Sequence, residues 1–111
     1  MILAILKNTS SVETLLNNLS EADFDLADVS IVMSDVKKAN AFGQNKGPLN
    51  GIKPESVEEA LIKLGASKKE AKECQGAVSS GSVLVVMKVA DEYSQAAEEM
   101  FQDHSAQLIK G

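Results

Sequence analysis

Residues 2–22 and 83–103 carry one pattern twice, offset by 81 positions. Ile2-Leu3-Ala4-Ile5-Leu6-Lys7 lies over Val83-Leu84-Val85-Val86-Met87-Lys88, so each copy opens with five apolar residues closed by a lysine. Val12, Leu15, Leu16 and Leu19 then lie over Tyr93, Ala96, Ala97 and Met100. Both sets have the i, i+3, i+4, i+7 spacing of one apolar helical stripe. Each copy is predicted as strand, turn and helix, and a further apolar run follows each.

The remaining signals place elements around this duplication. Strand one, about residues 2–7, and strand three, about residues 82–89, are apolar on both parities, as central strands covered on two faces are. Residues 28–33 form a second strand, with Val29, Ile31 and Met33 on one parity, and residues 106–110 a short fourth. Ser10/Glu13, Ser56/Glu59 and Ser67/Glu70 have capping-box spacing and are expected to open helices. Asp91 is expected to cap the last helix. Gly65 and Gly81 are read as a helix stop and a turn.

Two strand–helix–strand units with right-handed crossovers interleave into a four-stranded antiparallel sheet. The expected class is therefore α+β, a ferredoxin-like βαβ-αα-βαβ sandwich. It is read as one domain over 1–111: a βαβ unit at 1–33, a Gly-rich loop at 34–54, a helical insert at 55–81 and a βαβ unit at 82–111. Strands one and three fall in the middle of that sheet and are also the two fully apolar ones. Leu3, Ile5, Leu84 and Val86 have the opposite parity from Ile2, Ala4, Val85 and Met87, so both faces need cover. The helices at about 55–79 or a second subunit could supply the second layer.

Charge narrows the function classes. The net charge is −5 and all eleven basic residues are lysines. Phosphate and base-edge recognition favours arginine's planar fork, and a negative chain is repelled by a polyanion. Nucleic acid is not expected as a partner. No segment approaches the roughly 20 apolar residues of a membrane span, and no signal peptide is read. The expectation is a cytoplasmic protein without membrane contact. One Cys and one His leave the usual ligand and nucleophile inventory nearly empty, so no metal, no cofactor and no catalysis are expected.

Individual candidates read mostly as structural. Cys74 shares an apolar stripe with Ala71 and Val78, where a thiol acts as a small hydrophobe. His104 ends the last helix, where it can bond terminal carbonyls. Lys7 and Lys88 close antiparallel strands and emerge at opposite ends. Glu58, Glu59, Glu92, Glu98 and Glu99 belong to solvated faces. Gly43, Lys46, Gly47 and Gly51 invite a ligand-binding reading, because glycines expose backbone N–H groups. The segment lacks the Gly-Lys-Ser/Thr ending of a phosphate loop, however, and is otherwise a solvated loop.

Leu64-Gly65-Ala66-Ser67-Lys68-Lys69-Glu70-Ala71, followed by Ser80-Gly81-Ser82-Val83-Leu84-Val85-Val86, resembles the bacterial heat-induced general stress protein (YflT-like) domain. That resemblance implies bacterial origin, stress-linked expression and no established catalysis. The combined expectation is a non-catalytic, stress-associated protein acting by binding or self-assembly, as a homodimer. The alternative is a small-ligand sensor, for a metabolite or nucleotide, using the 43–51 loop.

Overall fold

The computed structural model describes residues 1–35, 49 and 52–109. Strand β1 (Ile2–Leu6) leads through helix α1 (Thr9–Glu21) and a 3₁₀ turn (Leu26–Asp28) to β2 (Val29–Val32). A second 3₁₀ turn (Pro54–Ser56) opens the pair α2 (Val57–Lys63) and α3 (Lys68–Ser79). Strand β3 (Val83–Met87), helix α4 (Asp91–Asp103) and the two-residue β4 (Gln107–Leu108) complete the chain.

The sheet order is β2-β3-β1-β4, with every neighbouring pair antiparallel. Ile2 faces Met87 and Leu6 faces Val83, so the two fully apolar strands lie side by side in the centre. This is the ferredoxin-like interleaving expected from the duplication. Parity then sorts the apolar residues. Ile2, Ala4, Leu6, Val29, Ile31, Val83, Val85 and Met87 form one core with Leu15 and Leu19 of α1 and with Ala97 and Phe101 of α4.

The opposite parity builds a second core. Leu3, Ile5, Val32, Leu84 and Val86 are buried with Val57 and Leu61 of α2 and Ala71, Cys74 and Val78 of α3. The helical insert therefore covers the second face from within the same chain, and the protein has three layers. Ser30 points into this second layer, wholly buried, and its Oγ accepts the Leu49 N–H at 3.0 Å. Leu49 is itself buried and Ile52 packs beside it. Leu49, within the Gly-rich segment, is thus anchored to the edge strand rather than solvated.

Helix starts hold one expectation and correct three. Ser67 and Glu70 form the full capping box, each side chain accepting the other residue's backbone N–H, at 3.1 and 2.9 Å. Ser10 does not cap α1. Asn8 does, its Oδ1 accepting Ser11 N–H at 2.9 Å, because Asn is as good a cap as Ser and comes first after the strand. Ser56 has helical rather than extended backbone, following the 3₁₀ turn begun by Pro54, and caps nothing with its side chain. Gln75 of α3 instead accepts the Glu58 N–H at 2.8 Å, fastening the two helices of the second layer together. Asp91 lies inside α4, one residue past its N-cap Ala90. There it still favours the positive end of the helix dipole.

All four helices among the described residues end in the same way. Phe24 N–H reaches Leu19 O and Asp23 N–H reaches Ser20 O, the paired bonds of a Schellman motif. The equivalent pairs close α2 at Gly65–Ala66, α3 at Gly81–Ser82 and α4 at Ser105–Ala106. The residue in the left-handed position is Gly65 (φ 107°) or Gly81 (φ 97°) in the helical insert, but Asp23 (φ 68°) and Ser105 (φ 62°) in the duplicated units. A Cβ in that conformation costs roughly 1–2 kcal/mol, against about 0.4–1 kcal/mol for the freer unfolded chain of a glycine. Ser105→Gly is therefore expected to stabilise the protein by about half to one kcal/mol, measured as a raised urea midpoint with unchanged slope.

Beyond α4, Ala106 is taken by the helix stop, so β4 is shorter than the 106–110 read from sequence. Ile109 N–H still bonds Leu3 O at 2.8 Å, continuing the edge, and Lys110 lies outside the described residues.

Candidate functional site

The two copies of the duplicated unit differ in one respect that creates a surface feature. Lys7 and Asn8 connect β1 to α1, whereas Lys88, Val89 and Ala90 connect β3 to α4. The extra residue turns the second helix by about 100° relative to the first. Leu15 and Leu19 thus correspond to Ala97 and Phe101, 82 positions on, and Ala97 and Phe101 are the buried pair of α4. The stripe expected from the 81-residue offset holds at Ala97, which is buried, and at Met100, which packs on the first core, but is corrected at the other two positions: Tyr93 is 55% exposed and Ala96 also faces solvent.

Tyr93 is consequently free to line a cleft at the end of the sheet where β1 and β2 begin and β3 finishes. Phe24, half-buried against the first core and following the helix stop at Asp23, lines it too. Both residues line two open clefts of about 340 and 280 Å³. Asp25, Asp28 and Lys88 line the first and Asp23 the second. The floor is rigid: Lys88 N–H bonds Asp28 O at 3.0 Å, and Asp25 Oδ1 holds the turn by accepting Ala27 N–H at 2.9 Å. Asp23 and Asp28 carry no side-chain hydrogen bond or ion pair with any described residue. An aromatic pair with carboxylates on its rim can stack on a flat or apolar group and hold a polar one at its margin.

The residues singled out in the sequence fall elsewhere. Gly43, Lys46, Gly47 and Gly51 lie outside the described residues. Lys7 and Lys88 are at opposite ends of the sheet, as antiparallel strands require. Glu59 pairs with Lys63 at 3.4 Å on an exposed face, where such a pair contributes little. His104 does not turn to the carbonyls of its own helix. Its Nε2 lies 2.7 Å from Asn18 Nδ2, accepting from the amide in the tautomer protonated on Nδ1, and so joins the ends of α1 and α4.

Cys74 is fully buried in the second core, and burial, with Glu70 and Glu73 nearby, pushes its thiol from 9.0 up to about 12. It remains a protonated thiol at neutral pH and is inert as a nucleophile. The linkage has a definite sign. The folded-state value lies above the unfolded one, so this contribution to stability is intact below about pH 9 and is lost as pH rises toward about 12. Cys74→Ala is expected to flatten that part of the alkaline decline relative to the parent, read from urea midpoints at pH 8 to 11. Equal alkaline slopes in the two proteins would contradict it.

Among the described residues no group of three or more His, Cys, Asp or Glu side chains is placed to hold a metal ion, and no helix is long and apolar enough to cross a membrane. No family model, curated protein or solved structure matches the chain.

Proposed function

We propose that the protein acts by binding, and that it receives its ligand in the cleft between Phe24 and Tyr93. The supporting observation is the placement of Tyr93. Among the described residues it is the most exposed large hydrophobic side chain, ahead of Met1 and Ile62, and it lines a cleft together with a second ring, Phe24. Exposed aromatic area beside a preformed cavity is costly to keep in water and is what recognition surfaces use. This reading keeps the sensor class expected from the sequence but moves its site from the 43–51 loop to the end of the sheet. The setting, a bacterial stress response, rests on the resemblance of residues 64–71 and 80–86 alone.

A thermal-shift screen over metabolites and nucleotides, run on the parent and on Tyr93→Ala, tests the proposal. Compounds that raise the parent's midpoint are expected to lose most of that effect in the variant. Hits that stabilise both proteins equally would place the site elsewhere.

Self-assembly as a homodimer is the second reading. The apolar second face no longer argues for it, because α2 and α3 cover that face; the sheet edges β2 and β4 still do, since an unpaired edge can accept another strand. A single species of 11.8 kDa across a wide concentration series by sedimentation would remove it.

A further inference from the structure

We infer that the ligand of the Phe24–Tyr93 cleft is a small organic cation, an ammonium or amidinium group carried on an apolar body. The inference rests on the binding reading above and adds the charge of the ligand to it. Phe24 and Tyr93 both line the cleft, and an aromatic ring attracts a cation over its face through its negative quadrupole. The rim supplies the complementary sign: Asp23, Asp25 and Asp28 against Lys88 leave it net negative, in a chain of net charge −5. Asp23 and Asp28 have no partner among the described residues, so both retain full acceptor capacity for an N–H donor. Asp25 has one oxygen engaged by its own turn and one remaining. An anionic ligand would meet the same carboxylates as repulsion.

The cavity size favours a small molecule over a peptide or protein. Volumes of about 340 and 280 Å³ lie at the lower end of the range that small ligands occupy.

Two probes with the same ring and opposite charge, phenethylammonium and 3-phenylpropanoate, separate the charge claim from the cleft claim. Each is titrated into ¹⁵N-labelled protein at low salt while the amide shifts of residues 22–28 and 87–93 are followed. Phenethylammonium is expected to move these amides and 3-phenylpropanoate to leave them unchanged. Replacing both free carboxylates (D23N with D28N) keeps the left-handed backbone tolerable, because Asn adopts it as readily as Asp. That double variant is expected to bind phenethylammonium about three- to tenfold more weakly, with the difference shrinking in high salt. If the two probes bind equally, or the double variant binds as well as the parent, the cation inference is overturned while the cleft stands. If neither probe moves these amides, the inference and the binding reading fall together.

Discussion

Phe101→Ala is expected to lose about 3–5 kcal/mol of stability, while Tyr93→Ala changes it by no more than about 0.5 kcal/mol. Phe101 is the largest fully buried side chain among the described residues and belongs to the first core from α4. For a domain whose whole stability is about 5–15 kcal/mol, that loss brings unfolding within reach of ordinary temperatures. The contrast matters more than either value. A helix phased by the 81-residue offset would put Tyr93 and Ala96 on the inner stripe, and truncating Tyr93 would then be the costly change. The longer connection at Lys88–Ala90 reverses that order. Urea unfolding of the two variants beside the parent checks it, and equal losses would contradict the phasing.

Leu84→Ala is expected to cost about 2–5 kcal/mol. Leu84 lies in the middle of the second face, paired across the sheet with Ile5 on β1 and Val32 on β2, and all three are buried beneath α2 and α3. The cost depends on the insert being packed there: on a face open to water, a leucine truncation would change stability by only a few tenths of a kcal/mol. Leu61→Ala, removing the cover from the helix side, is expected to cost a similar amount. Because both residues share one cavity, the double variant should lose less than the sum of the two, and full additivity would argue that they do not share a core. Denaturant midpoints of the three proteins give the answer.

The layout was legible in the sequence because burial on two faces leaves a plain mark. Ile2–Leu6 and Val83–Met87 are apolar at every position, which only central strands with cover on both sides require. The second layer could be narrowed but not assigned, since parity shows that a face is apolar and not which segment, or which copy, lies on it. Helix starts were less secure for a local reason. Ser10, Ser56 and Ser67 all have the same spacing to a Glu, yet Asn8 precedes the first and Pro54 imposes a 3₁₀ turn on the second, so only Ser67 is free to use its box.

The cleft was hidden by the same uncertainty. Laying residues 83–103 over 2–22 at an offset of 81 buries Tyr93 on paper, whereas α1 starts at Thr9 and α4 at Asp91, an offset of 82. The signal was present in the difference between a two-residue and a three-residue connection, but that can be counted only once both helix starts are fixed. Phe24 and the aspartates around it fall in a short polar connection with no periodicity. What brings them to Tyr93 is the antiparallel register, in which Val29 at the start of β2 faces Met87 at the end of β3.

The central claim is that one chain covers both faces of its own sheet, and isotope-filtered NOE spectroscopy on a mixture of labelled and unlabelled protein tests it directly. Methyl contacts between Leu3, Leu84 or Val86 of the sheet and Val57, Leu61 or Val78 of the insert are expected within labelled chains and absent between labelled and unlabelled ones. The same contacts appearing between chains would show that the second layer comes from a partner copy, and would contradict the fold described.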